Sequence, residues 1–169
     1  MPITVRAVAL DVDGVLTDGS VWWSSSGDEF KRFHFLDIMG VARARRAGVL
    51  FALISGEASP LVTRFAEKLG IADVFLGCKD KALALREFAK TYQLDLGEIC
   101  FMGDDINDVP ALTIAGIAAA PANAHFTAAE IATIKTRSAG GNGAVRELLD
   151  QLAREGYLSL DYGRPPRGK

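Results

Sequence analysis

The chain has 169 residues, a formal net charge of −2 and an apolar fraction of 49%. This length fits one domain with one hydrophobic core, and this composition is too apolar for a disordered chain. The near-balanced charge argues against nucleic acid as the main partner. The longest apolar runs are far shorter than the ~20 residues that a membrane helix needs, and the first residues lack a signal-peptide pattern. We therefore expect a cytoplasmic protein with no membrane partner.

Short apolar runs alternate with helical patterns along the chain. Buried strands are predicted at 5–10, 49–54, 99–102 and, more weakly, 116–120. Apolar residues recur at i, i+3, i+4 and i+7 over 85–92 and again over 145–152, which predicts two amphipathic helices. This alternation predicts right-handed βαβ units and a parallel sheet. The ligand of such a sheet binds beyond the carboxyl ends of its strands.

Residues 20–34 depart from this alternation and predict a β-hairpin, with its turn at 24–28. Trp22 and Trp23 are adjacent, so they would point to opposite faces of a strand. One indole must therefore cover something other than the inner face of the hairpin. It packs either against the same domain or against another subunit, and the residues alone leave both interpretations open.

Two carboxylates, Asp11 and Asp13, follow the first predicted strand and precede Gly14. Asp is unfavourable in strands and costly to bury unpaired, so the pattern indicates a bound cation. Mg²⁺ takes one or two carboxylates together with phosphate oxygens. Gly14 would let the backbone turn close to a bound phosphate. A β-turn with solvated Asp side chains is the alternative at this point.

A second acidic segment, Gly103-Asp104-Asp105-Ile106-Asn107-Asp108, directly follows the predicted strand at 99–102. A helix N-cap explains one of its carboxylates but not all three. Two acidic segments at two strand ends would repel each other without a cation between them. The two segments together therefore indicate a shared metal ion.

Phosphate-binding groups are predicted at two further positions. Ser55 and Gly56 follow the strand at 49–54, where a hydroxyl and free N–H groups suit a phosphate oxygen. Lys81 begins a predicted helix, where its ammonium could bind phosphate as a point charge. Taken alone, each has an ordinary explanation: Ser55 as a helix N-cap, and Lys81 as a solvated lysine with Lys79 as a competitor for the role.

These segments together resemble the four motifs of the haloacid dehalogenase superfamily. The matching residues are Asp11-Val12-Asp13-Gly14-Val15-Leu16-Thr17-Asp18-Gly19, Ser55, Lys81 and Gly103-Asp104-Asp105-x-x-Asp108. The resemblance reaches about Leu152 and is strongest to the capless 3-deoxy-D-manno-octulosonate 8-phosphate phosphatases and their relatives. The segments 35–40 and 140–147, and a hairpin in place of a cap domain, also carry it. It implies a Rossmann-like α/β three-layer sandwich with a central parallel sheet over residues 1–158, then a flexible tail at 159–169.

The resemblance implies a Mg²⁺-dependent phosphatase that works through an aspartyl-phosphate. Asp11 would be the nucleophile, and Asp13 would protonate the leaving group and then activate water. The Asp11 carboxylate, the Asp13 backbone carbonyl and Asp104 would hold the metal.

The remaining motif residues would bind and position the phosphoryl group. Ser55, Gly56 and Lys81 would contact its oxygens. Asp105 would orient Lys81 or a metal-bound water. Asp108 would stabilise the site without contacting the phosphoryl group.

The substrate implied by the resemblance is a phosphorylated 2-keto-3-deoxy sugar acid. Octulosonate phosphatases usually carry Arg after the Gly of the second motif, whereas Glu57 stands here. Relatives acting on 2-keto-3-deoxynononate 9-phosphate carry Glu there and a Lys further along, for which Lys68 is the candidate, with Arg64 one turn before it. We therefore favour the nine-carbon substrate slightly, although a first-turn Glu is also favoured by the helix dipole. Asp37 is a further predicted substrate-binding residue.

The resemblance also implies a homotetramer in which a neighbouring subunit covers the site, with Trp22, Trp23 and Phe30 at the interface. Two alternatives belong to other functional classes: a signalling receiver domain and a catalytically silent assembly domain. The position of the acidic pair on the first strand argues against a receiver, and the complete motif set argues against a silent domain. His34 and His125 are expected to be structural or surface residues.

Overall fold

The computed structural model describes residues 4–160 of the chain. Within them the strands are β1 (Ala7–Leu10), β2 (Trp22–Trp23), β3 (Glu29–Phe30), β4 (Leu50–Ile54), β5 (Asp73–Phe75), β6 (Ile99–Met102), β7 (Ile117–Ala120) and β8 (Ile134–Lys135). The α-helices are α1 (Phe35–Arg46), α2 (Pro60–Leu69), α3 (Lys81–Thr91), α4 (Val109–Ile114), α5 (Phe126–Ile131) and α6 (Ala144–Arg154). Two short 3₁₀ helices cover Leu96–Glu98 and Ile106–Asp108.

Six strands form one parallel sheet in the order β5-β4-β1-β6-β7-β8. The chain places β4 and β5 on one side of β1 and the later strands on the other. The strand order therefore reverses between β1 and β6, and the loops there diverge to open a crevice. Both acidic segments predicted from the sequence follow these two strands. The predicted parallel α/β fold is confirmed.

Alternate side chains of the central strand point into two separate hydrophobic cores. Val8 and Leu10 pack on the face covered by α1, α2 and α6, whereas Ala7 and Ala9 pack on the face covered by α3, α4 and α5. The four apolar residues of the stripe at 145–152 are fully buried in α6. The stripe at 85–92 is buried in α3 up to its end, where Tyr92 is the half-buried C-cap. These two helical predictions are confirmed.

Two edge strands, β5 and β8, escaped prediction because each has only three or two residues and too little apolar sequence to show a pattern. The domain boundary at 158 stays a prediction. Residues 161–169, which make up most of the predicted tail, lie outside the described part of the chain. Along residues 4–160 no helix has the length and apolar character to cross a bilayer. The predicted cytoplasmic location stays a prediction.

The predicted hairpin is present, with shorter strands than expected. β2 and β3 pair antiparallel, with Trp22 opposite Phe30 and Trp23 opposite Glu29. Trp22 is 66% exposed and Trp23 is 73% exposed, so neither indole is buried against its own domain. The interpretation that one of them packs locally is therefore wrong, and a subunit interface remains the prediction.

Candidate active site

The loop after β1 begins with a buried carboxylate. The backbone N–H of Asp11 donates to the Met102 carbonyl at 2.9 Å, which continues the β1–β6 ladder into the loop. The chain then turns at Gly14, whose φ is +91°. A Cβ atom at Gly14 would lie 2.0 Å from Oδ2 of Asp104. Only glycine therefore allows the loops after β1 and β6 to approach this closely.

A buried lysine lies between two carboxylates at this edge of the sheet. The Lys81 ammonium is 2.7 Å from Oδ1 of Asp11 and 2.6 Å from Oδ1 of Asp108. Lys81 is 2% exposed and Asp108 is fully buried. Burial alone lowers the pKa of Lys81, but the two carboxylates outweigh it and raise that pKa, so the ammonium stays charged. The structure therefore brings Asp11 and Lys81 together at one site, as the sequence motifs predict.

Asp108, not Asp105, orients Lys81. The second oxygen of Asp108 accepts the backbone N–H groups of Asp104 at 2.8 Å and Asp105 at 3.1 Å. Asp105 is exposed, and its carboxylate accepts the N–H of Ile106 at 2.7 Å as the cap of the short 3₁₀ helix. The expectation that Asp105 orients Lys81 is therefore wrong, because capping turns this side chain outward.

The acidic cluster has the chemistry of a site for a hard cation. Carboxylate oxygens of Asp11, Asp104 and Asp108 lie within 4.8 Å of one another. Oδ1 of Asp104 is buried without a hydrogen-bond partner among the described residues. Burial raises the pKa of Asp104 to about 6 and raises the pKa of Asp11 well above its ordinary range. The Lys81 ammonium supplies one positive charge for these three carboxylates, so a further cation would stabilise the cluster, and an all-oxygen donor set suits Mg²⁺.

The two oxygens of Asp108 are already engaged by Lys81 and by backbone N–H groups. The carboxylates of Asp11 and Asp104 are therefore the side chains that would hold Mg²⁺. The Asp13 backbone carbonyl lies in the same loop as Asp11 and remains the third metal ligand implied by the resemblance.

The affinity for Mg²⁺ should fall as the pH is lowered through about 6. A raised pKa means that Asp104 retains its proton to higher pH, and this proton competes with the metal. Competition at one group with this pKa weakens binding about tenfold between pH 7 and pH 5. Calorimetric titration with Mg²⁺ at several pH values measures the change, with Asp104→Asn as the control that should bind weakly throughout. An affinity that is constant over this range would contradict the assignment.

The second motif also reaches this edge. Ser55 is buried, its N–H donates to the Phe75 carbonyl, and its hydroxyl accepts the N–H of Glu57 at 3.1 Å. The N-cap of α2 is Ser59, so the N-cap explanation of Ser55 is wrong. A Cβ on Gly56 would lie 3.8 Å from the side chain of Asn107, which places the loop after β4 against the loop after β6.

The residues predicted to bind substrate lie in different parts of the structure. Asp37 is buried, and its two oxygens accept the N–H groups of Gly143 at 3.3 Å and Arg146 at 2.9 Å. It therefore caps the N-terminus of α6, and its contact with substrate stays a prediction.

Glu57 is exposed beside Ser55 and stays a candidate for substrate contact. Arg64 is exposed in the middle of α2. Lys68 lies in the last turn of α2, beside Arg45 and Arg46 and at the far end of the helix from Ser55. The structure does not bring Lys68 to the acidic cluster of its own chain.

Two residues that make contacts in the site were not predicted from the sequence. The Lys31 ammonium lies 2.6 Å from Oδ1 of Asp13. The Asn123 amide donates to the Gly14 carbonyl at 3.2 Å and accepts the N–H of Gly140 at 2.6 Å, which ties the loop after β1 to the glycine segment. No local signal marks either residue, since their partners are 17 or more positions away in sequence.

The two histidines have structural roles, as expected. The side chain of His34 accepts the N–H of Leu36 at the start of α1. The side chain of His125 accepts the N–H of Thr127 at the start of α5.

Comparison with known proteins agrees with this geometry. The family described as haloacid dehalogenase-like hydrolase matches residues 24–148, well over half of the chain. The chain belongs to the haloacid dehalogenase-like hydrolase family. Among curated members, the 3-deoxy-D-manno-octulosonate 8-phosphate phosphatase KdsC of Escherichia coli (strain K12) is 34% identical over 148 residues, which cover 88% of this chain and 79% of that protein. The enzyme of the same name from Yersinia pestis gives the same identity and coverage.

Solved structures of family members superpose closely. The 3-deoxy-D-manno-octulosonate 8-phosphate phosphatase of Moraxella catarrhalis, in complex with magnesium, phosphate and KDO, has a TM-score of 0.87 at 33% identity, covering 89% of this chain and 86% of that chain. The cobalt-bound phosphatase of Haemophilus influenzae has a TM-score of 0.86 at 32% identity, covering 89% and 88%. Membership of this hydrolase family favours an enzyme over a receiver or a silent assembly domain.

Proposed function

We propose that this hydrolase is a Mg²⁺-dependent phosphatase of a phosphorylated 2-keto-3-deoxy sugar acid. The observation that carries the proposal is the Lys81 ammonium held between Asp11 and Asp108, beside the unpaired oxygen of Asp104. 3-Deoxy-D-manno-octulosonate 8-phosphate is the first candidate substrate, because the curated relatives are named for its hydrolysis.

The residues of the site divide the reaction between them. Asp11 attacks phosphorus, and the bond from phosphorus to the leaving oxygen breaks as the aspartyl-phosphate forms. Lys81 and Ser55 bind the transferred oxygens and offset their negative charge. Asp13 gives its proton to the leaving oxygen and then takes one from the water that hydrolyses the intermediate. Mg²⁺ held by the carboxylates of Asp11 and Asp104 would offset the negative charge of the phosphate oxygens.

Glu57 supports 2-keto-3-deoxynononate 9-phosphate as a second candidate substrate. It is exposed two residues after Ser55, and the relatives that act on this nine-carbon substrate carry Glu at the same motif position.

We expect Glu57→Arg to raise the ratio of kcat/KM for the eight-carbon over the nine-carbon substrate by about tenfold, since each 1.4 kcal/mol changes a ratio by that factor. Steady-state kinetics on both substrates measures it. Glu67→Arg makes the same change at an exposed residue of α2. It is the matched control and should leave the ratio unchanged. An unchanged ratio in Glu57→Arg would remove Glu57 from substrate selection. Hydrolysis of neither substrate by the wild type would refute the proposed substrate class.

We further propose that the protein assembles as a homotetramer through the hairpin. The support is the exposure of Trp22, Trp23 and Phe30 together on this short two-stranded sheet. Trp22→Asp should lower the molar mass measured by light scattering, whereas Phe126→Asp, at an exposed aromatic residue on α5, should not. A wild-type protein that is monomeric and fully active would contradict the assembly.

A further inference from the structure

Lys31 brings a buried positive charge from the hairpin to the candidate acid–base residue. Its ammonium lies 2.6 Å from Oδ1 of Asp13, and its side chain is 2% exposed although the hairpin itself is exposed. Among residues 4–160, Lys31 is the only hydrogen-bond partner of the Asp13 carboxylate. A buried ammonium is unfavourable unless it is paired, so this contact differs from an ordinary surface ion pair.

Contacts on both sides of Lys31 hold the hairpin in place. Before it, a carboxylate oxygen of Glu29 accepts the hydroxyl of Ser59 at 2.8 Å, which ties β3 to the start of α2. After it, the guanidinium of Arg32 donates to the side chain of Asn142 at 3.2 Å. The backbone of Lys31 is therefore anchored to two separate parts of the sheet edge.

From this geometry we propose that Lys31 is a positioning residue for Asp13. Its ammonium holds Oδ1 of the carboxylate and leaves Oδ2 for the proton and the leaving oxygen. The inference rests on the proposed function, because it assumes that Asp13 delivers this proton. In that step the bond from phosphorus to Asp11 forms, the bond to the leaving oxygen breaks, and the proton passes from Oδ2 of Asp13 to that oxygen.

Leaving groups differ in their need for this proton. The alkoxide of a sugar phosphate is strongly basic and requires protonation as the bond breaks. Nitrophenolate is a stable anion and leaves without it. A change that misplaces Asp13 should therefore slow an alkyl phosphate far more than p-nitrophenyl phosphate, whereas a change that loosens the whole site should slow both equally.

The test compares kcat/KM for 3-deoxy-D-manno-octulosonate 8-phosphate and p-nitrophenyl phosphate in the wild type, Lys31→Met and Lys31→Arg. We expect Lys31→Met to lower the value for the sugar phosphate about 10²-fold and the value for the aryl phosphate by much less, since a positioned acid contributes that much or more. Lys31→Arg should recover part of the loss by restoring the charge. Lys90→Met, at an exposed lysine on α3, is the matched control and should behave as the wild type.

Equal losses on the two esters, or no loss on either, would overturn the positioning role. Lys31→Gln gives the same comparison if Lys31→Met does not fold by circular dichroism. A wild-type protein that hydrolyses p-nitrophenyl phosphate but not the sugar phosphate would refute the proposed substrate. The alkyl ester is then glycerol 3-phosphate, and equal losses on it and on p-nitrophenyl phosphate in Lys31→Met would overturn the role of Lys31. A wild-type protein that hydrolyses no ester would refute the function and the role of Lys31 together.

Discussion

Asp11→Asn is expected to lower kcat by about 10³-fold or more, as the loss of a catalytic nucleophile does in other enzymes. The attack on phosphorus needs a carboxylate oxygen, and an amide oxygen is a poor nucleophile. The change preserves the shape of a residue that is almost fully buried, so the fold should persist. Steady-state kinetics gives the rate, and mass spectrometry after brief exposure to substrate should detect the phosphorylated wild type but not the phosphorylated variant.

The matched control for this change is Asp95→Asn. Asp95 is an exposed residue at the N-cap of the 3₁₀ helix that precedes β6, at the opposite edge of the sheet. It should retain wild-type kcat. Near-normal turnover by Asp11→Asn, with the protein shown to be free of wild-type contamination, would mean that another group attacks phosphorus.

Lys81→Met should lower both activity and stability. Its ammonium is paired with two buried carboxylates, so its removal leaves Asp11 and Asp108 facing each other without a cation. Breaking a buried pair from one side costs about 3–5 kcal/mol of unfolding free energy. The phosphoryl oxygens also lose a positive charge, which should lower kcat/KM by about 10²-fold or more. Urea unfolding and steady-state kinetics measure the two effects.

A double variant separates these two effects. Asp108→Asn in the Lys81→Met background removes one of the uncompensated charges, so part of the unfolding free energy should return. Activity should not return, because the positive charge at the phosphoryl group is still absent. If stability did not recover, the loss in Lys81→Met would have a cause other than the buried carboxylates.

The sequence carries strong local signals for the central strands of the sheet and for the candidate active site. The runs that became β4 and β6 are continuous and apolar, and polar groups follow each of them directly. Asp11, Ser55 and Asp104 could be placed near one another because parallel strands end at the same edge. Lys81 follows the short edge strand β5, so only the family resemblance placed it at the site. The short edge strands gave no such signal.

Roles that depend on distant contacts were not predictable. The sequence assigns Asp37 to the substrate and does not show that it binds the N-terminus of a helix that begins more than 100 residues later. Asp105 and Asp108 are equivalent by composition, and only the turn of the 3₁₀ helix decides which one faces Lys81. Lys31 reaches Asp13 through the packing of the hairpin, which no local pattern in the sequence describes.

The contact between Asp37 and the start of α6 has a consequence for synthesis. It joins α1 to α6, and these two helices pack against each other on one face of the sheet. Closing so long a segment of chain is slow and brings little gain until its final contacts form. While the ribosome is still adding residues before 154, the apolar faces of β1 and α1 lack this cover. The growing chain therefore passes through a stage at which these surfaces are open to chaperones or to aggregation.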